Sequence, residues 1–153
     1  MKIGVISDTH DYFNPKVPKL FAGVDHIIHA GDVGRPWILL ELEQIAPVTA
    51  VLGNSDSFLT LKEMELVELK ERKIAVRHIV DPQNPGKELQ SFITRTKPDV
   101  VVFGHTHKRF CLTLGGILYF NPGYAGNKPD AAERSVAILQ WDEKEIRSTF
   151  LDL

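Results

Sequence analysis

Asp8, His10, Asp32, Asn54, His78, His105 and His107 share one position in the sequence pattern. Each stands where a short apolar run gives out, in Ser7-Asp8-Thr9-His10, Ala30-Gly31-Asp32, Gly53-Asn54-Ser55-Asp56, His78 and Gly104-His105-Thr106-His107. Imidazole, carboxylate and one amide oxygen are donors that select manganese, iron, zinc or similar ions over calcium or magnesium. No thiolate accompanies them, which argues against a structural zinc site. Seven groups exceed the needs of one ion and suit two ions that share a ligand. In extended chain, residues i and i+2 point the same way, so Asp8 with His10, and His105 with His107, can each reach one centre. Glycines 31, 53 and 104 let the backbone turn and approach closely. Taken singly, an Asp at a strand end is usually a turn or helix-cap residue, and a lone His is usually a satisfied polar group. Five coincident strand ends are not explained by caps.

The elements that must position these groups follow from periodicity. Short β-branched runs predict strands over 2–6, 25–29, 48–52, 73–77, 99–103, 117–120, 136–141 and 146–151. Helices are predicted over 15–21, over 37–45 with Ile38, Leu39, Leu42 and Ile45 on one face, and over 87–95 with Leu89, Phe92 and Ile93 together. Gly115-Gly116 reads as a hairpin turn between 109–114 and 117–120. Residues 62–73 read as a charged hairpin on a solvated edge. Strand–helix alternation in the first half implies a parallel α/β sheet, and the second half is strand-rich. The expected architecture is two packed sheets with helices outside, and sites in such sheets form at the carboxyl ends of strands.

A length of 153 residues suits one domain, 1–153. With 18 Lys and Arg against 20 Asp and Glu, the net charge of −2 gives no electrostatic case for bulk nucleic-acid binding. The single cysteine, Cys111, excludes an intrachain disulfide and fits a reducing cytoplasm. The start MKIGVISDTH has no signal-peptide core, and the apolar runs are too short to cross a bilayer, so no membrane partner is expected.

The ordered set Asp8-Thr9-His10, Gly31-Asp32, Gly53-Asn54, His78 and Gly104-His105-Thr106-His107 resembles the calcineurin-like metallophosphoesterases. Within them it is most similar to the small, cap-less YfcE-type phosphodiesterases, and the turn Asn121-Pro122-Gly123 adds to the likeness. The resemblance implies a four-layer αββα sandwich of two mixed sheets flanked by helices. It implies two divalent transition-metal ions, manganese foremost, with iron, zinc, nickel or cobalt as alternatives. Asp8, His10 and His107 would hold the first ion, Asn54, His78 and His105 the second, and Asp32 would bridge them. The implied chemistry is in-line attack on phosphorus by a hydroxide held between the metals, with Asp32, Asn54 and His105 as the catalytic set and a small phosphate ester as substrate.

Two departures from the family pattern stand out. Where the family continues H-G-H, this chain has His78-Ile79-Val80, which keeps the ligand but changes the loop. Ser55 stands where related protein phosphatases carry the histidine of G-N-H-E, which argues against that activity. Readings left open are a phosphomonoesterase or cyclic-nucleotide phosphodiesterase, a protein-interaction scaffold like the retromer subunit that resembles this family, and a homo-oligomer. Around the seven, His29 and Asp56 either orient ligands or serve as buried and capping groups. Arg35 is a candidate phosphate contact, Tyr12 and Phe13 either wall the pocket or pack, Tyr124 is a candidate to face the site from the loop 121–134, and Trp37 and Trp141 are core or interface residues.

Overall fold

β-Branched residues stiffen χ1 and pack well on a pleated surface, which is why the short Val/Ile runs become strands. The computed structural model describes residues 1–131 and 133–153. Its elements run β1 (Lys2–Ile6), α1 (Val17–Leu20), β2 (His26–His29), α2 (Trp37–Glu43), β3 (Val48–Ala50), β4 (Met64–Leu69) and β5 (Arg72–Arg77). After these come α3 (Gly86–Thr96), β6 (Val100–Val102), β7 (Arg109–Leu114), β8 (Ile117–Pro122), β9 (Ser135–Trp141) and β10 (Ile146–Asp152).

They build two five-stranded mixed sheets, ordered β10-β9-β1-β2-β3 and β4-β5-β6-β8-β7. In the first sheet β1, β2 and β3 are parallel, and β9 and β10 run antiparallel at one edge. In the second, β5, β6 and β8 are parallel, with antiparallel β4 and β7 at the edges.

Alternation along each strand sorts side chains between layers. Ile3, Val5, Ile28, Ile74, Val76, Val100, Val102, Phe120 and Leu139 meet between the sheets. Ile6, Ile27, Val136 and Ile138 face the other way, against Val17, Phe21, Ile38 and Leu42 of the α1 and α2 regions. Ala75, Val101 and Tyr119 pack against Leu89, Phe92 and Ile93 of α3. The layers are therefore helix, sheet, sheet, helix, as expected.

The elements differ from expectation in extent. The helix predicted over 15–21 shrinks to the four residues of α1, because Pro15 and Pro18 restrict the start and Gly23 follows. The strand predicted over 48–52 stops at Ala50, and 51–52 pass into the loop that carries Asn54. The charged stretch is the β4–β5 hairpin, turned by Lys70 and Glu71 at φ of 43° and 65°. Gly115 and Gly116 turn the β7–β8 hairpin, both at positive φ, as two-residue hairpins require. Trp141 lies in the inter-sheet core, but Trp37 does not: it is 41% exposed and its indole N–H donates to Asp11 Oδ1 at 2.6 Å.

Candidate metal centre

Parallel strands within a sheet deliver their carboxyl ends to one edge. Asp8 and His10 follow β1, Asp32 follows β2 and Asn54 follows β3; His78 follows β5, and His105 and His107 follow β6. The two sheets bring these ends together as two clusters. Asp8, His10 and His107 form one and Asp32, His78 and His105 the other, each with its ligand-type atoms within 4.8 Å of one another. Asn54 joins the second cluster, its Oδ1 lying 2.9 Å from His105 Nδ1.

The local backbone differs from the extended chain read from the sequence. Asp8, His10, Asp32, His105 and His107 all have positive φ, between 46° and 69°. Left-handed residues are uncommon outside glycine and cost strain, and such strain gathers at functional sites. The loops are coiled, so the i, i+2 argument fails for one pair: His105 and His107 go to different clusters. Asp8 and His10 do share one.

Hydrogen bonds aim the candidate ligand atoms of Asp8, His78 and Asp32. Asp8 is fully buried; its Oδ2 accepts the Ser7 hydroxyl at 2.6 Å and the His105 N–H at 3.1 Å, which leaves Oδ1 facing the clusters. His78 Nδ1–H donates to the Ala30 carbonyl at 2.7 Å, so Nε2 is the bare nitrogen turned inward. Asp32 Oδ1 accepts the Ser55 N–H at 3.0 Å, while Oδ2 lies 3.2 Å from His78 Nε2 and 3.6 Å from His10 Nε2. That oxygen stands between the two clusters.

Electrostatics agree with a cation-seeking site. Burial works against charge on Asp32, yet His78 and the Ser55 N–H beside it hold its carboxyl well below the usual range. Burial likewise opposes ionisation of Asp8, and the contacts with His10 and Ser7 and the charges of His78 and His107 outweigh it. Burial alone would lower His78, but Asp32 and Asp8 raise it, so this spot favours a positive charge. For His107 burial prevails and the ring is held neutral, the form that ligates.

The residues fit a pair of divalent ions. Asp8 Oδ1, His10 Nε2 and His78 Nε2 are buried without a hydrogen-bond partner among the described residues. Buried polar atoms are normally paired, and a bound cation would satisfy all three. Two ligands about 2.1 Å from one ion are about 3.0–3.4 Å apart, close to the 3.2 Å of His107 Nε2 to Asp8 Oδ1 and of His78 Nε2 to Asp32 Oδ2. Space is kept for this approach: a Cβ on Gly53 would collide with Asp32, and one on Gly104 with Ser7 Oγ and Asp8 Oδ2.

The neighbours resolve as follows. His29 is fully buried and reaches no ligand atom; it accepts the Gly31 N–H at Nδ1 and donates through Nε2 to Thr9 Oγ1 at 2.9 Å. It thereby ties the Asp8 loop to the Asp32 loop. Asp56 is a loop cap, accepting N–H groups of Val33, Gly34 and Gly53. Arg35 is paired with Asp11 at 3.6 Å. Tyr124 is buried and stacks on the His107 ring at 4.4 Å. Ser7, Thr9 and the buried Asn121 escaped the sequence reading as positioning groups. Asn121 donates through Nδ2 to the Gly104 carbonyl at 2.9 Å and to Thr106 Oγ1, holding the His105 loop. Ser7 and Thr9 lie within the first motif and Asn121 in the turn that adds to the family likeness, but nothing in the residues gave them these roles.

Residues 1–144 match the family model described as the calcineurin-like phosphoesterase superfamily domain. The chain belongs to this superfamily. A probable metallophosphoesterase of Methanocaldococcus jannaschii is 38% identical to this calcineurin-like chain over 94% of it and 78% of the relative. A phosphodiesterase of the same organism is 28% identical over 99% of this chain and 100% of its own. Among solved structures, an archaeal phosphodiesterase superposes with a TM-score of 0.76 at 27% identity, covering 99% of this chain and 100% of its own. Vps29 of Entamoeba histolytica, solved with Zn²⁺, superposes at 0.75 with 23% identity over 99% of each chain, a likeness of fold. Superfamily members use divalent metals, and the two clusters are the candidate sites in this one.

Proposed function

We propose that the protein is a metal-dependent phosphodiesterase working through two ions. The position of Asp32 carries this reading: its Oδ2 stands between His10 of one cluster and His78 of the other. Asp8, His10 and His107 would hold one ion, Asn54, His78 and His105 the second, with Asp32 shared. When bound, the pair would supply Lewis acidity toward phosphoryl oxygens and acidify the water that attacks phosphorus. Asn54 is exposed beside His105, where its amide can orient a phosphate oxygen. His105, beside Asn54, would offset charge that builds on the departing ester oxygen. With no group assigned to protonate a poor leaving group, aryl esters should react best. Manganese is the favoured metal. The lone, exposed Cys111 suits a reducing cytoplasm, and no helix among the described residues is long and apolar enough to cross a membrane.

The experiment is hydrolysis of bis-(p-nitrophenyl) phosphate by chelator-stripped protein as Mn²⁺ is added back. Activity should appear with metal and vanish without it, and Asp32→Ala should lower kcat by more than about 10³-fold. Inactivity with Mn²⁺, Ni²⁺, Co²⁺ and Fe²⁺, despite metal bound, would turn the assignment to the protein-interaction scaffold that the Vps29 fold also carries.

A further inference from the structure

The loop after β5 departs from the family's H-G-H, and the departure has a structural outcome. Val80 turns inward, 7% exposed, and joins Leu89 and Phe103 in the core under α3. Ile79 turns outward and is 51% exposed. Its φ is not left-handed, so a side chain at this position costs no backbone strain. A large aliphatic residue half in water beside a buried ligand such as His78 has an unmet apolar surface.

That surface faces a cleft. About 360 Å³ in volume, it is lined by Leu52, Asn54, Glu63, Arg77, His78 and Ile79, together with Gly53 and Asp56. Asn54 and His78 are proposed ligands, so the cleft opens directly on the second cluster. Its volume lies within the roughly 300–1,000 Å³ range of small-molecule sites. Its polar groups are mostly engaged elsewhere. Asp56 is occupied by three backbone N–H groups, and Arg77 pairs with Glu88 at 3.1 Å. The exposed Glu63 in its lining adds negative charge, which opposes a second phosphate. A second cleft, beside His107 and Tyr124, carries Lys108, Arg109 and Lys128 but also Asp130 and Glu133, so its charges are mixed and it selects for neither sign.

We propose that the cleft walled by Leu52 and Ile79 holds one ester arm of the substrate and selects an uncharged aromatic group. The inference rests on the phosphoesterase reading and adds the substrate class. Ile79 is a specificity-determining residue, in contact with an arm that does not react.

Phenylphosphonate and methylphosphonate test it, because each has a single arm and neither is hydrolysed. Calorimetric titration of both into Mn²⁺-loaded protein should give phenylphosphonate a Kd about tenfold lower, the effect of burying one ring face. In Ile79→Ser the two Kd values should come within about twofold, with methylphosphonate bound as in wild type, which also certifies the fold. Ile79→Leu should keep the preference. A phenyl preference equal in wild type and Ile79→Ser, or absent in both, would overturn the assignment of the cleft while phosphodiester hydrolysis still stood. Failure of both phosphonates to bind, with no hydrolysis of bis-(p-nitrophenyl) phosphate, would overturn the phosphoesterase reading and this inference with it.

Discussion

A buried histidine without charge is a sensitive reporter of its surroundings. His29 lies at the centre of the chain Gly31 N–H, His29, Thr9 hydroxyl, Val33 carbonyl, which links the loops after β1 and β2. Burial pushes its pKa down to about 4. The ordinary value is near 6.5, so between these two the unfolded chain binds more protons than the folded one, and stability rises with pH. The contribution is complete above about pH 6.5 and is lost as pH falls toward 4. The difference between the two values corresponds to at most about 3–4 kcal/mol. In metal-free protein, denaturant midpoints at pH 7.5 and 5 should therefore drop more in wild type than in His29→Gln. Equal drops would show that His29 is not held neutral. Nearby, Asp8 and Asp32 are held ionised and would show the same sign only below the carboxylate range.

At the level of elements, the ligand loops are short turns fastened from behind. The loop after β6 carries His105 and His107 into separate clusters, and Asn121 at the end of β8 grips it through the Gly104 carbonyl and Thr106. The Asn121 carbonyl oxygen of the side chain accepts the Gly123 N–H, so the amide orientation is set. Asn121→Ala should leave the strands intact, loosen this loop, and weaken metal binding by about tenfold, the low end for outer partners, because Asn121 grips the residues that flank His105 and not the ring itself. Competition with a fluorescent chelator measures this directly. Unchanged metal affinity would assign Asn121 to the β8 turn alone. The same loop scale explains why Gly104 and Gly53 are glycines: each lets one loop pass against the carboxylate of another.

Across the whole molecule, each cluster draws on both sheets. Asp8 and His10 from the first sheet meet His107 from the second, and Asp32 from the first meets His78 and His105 from the second. Metal bound there would clamp the sandwich at one end of the inter-sheet core. Binding to the folded state alone at a free concentration 100 times Kd adds about 2.7 kcal/mol, which for a chain of this size is a rise of about 5–10 °C in Tm. Thermal unfolding with graded Mn²⁺ should show that rise, and Asp32→Ala should abolish most of it. A Tm independent of metal in a protein that binds it would mean that the unfolded chain binds the ions as tightly as the folded one, so that they do not clamp the sandwich.

Much of this was legible in the chain. Short β-branched runs marked the strands, and Gly115-Gly116 marked the β7–β8 hairpin, because these preferences act over a few residues. The seven ligand-type residues stood out because each broke an apolar run at the same kind of place. What the chain left undecided depended on contacts between distant segments. The division of His107 to Asp8 and of His105 to His78 was implied only by the family resemblance; the left-handed turns that produce it are not readable from the residues themselves. The roles of Ser7, Thr9, His29 and Asn121 rest on hydrogen bonds that span up to 24 residues of sequence and leave no local pattern. The outward turn of Ile79 and the inward turn of Val80 were set by the packing of β5 under α3, since two adjacent aliphatic residues look alike until one of them finds a core.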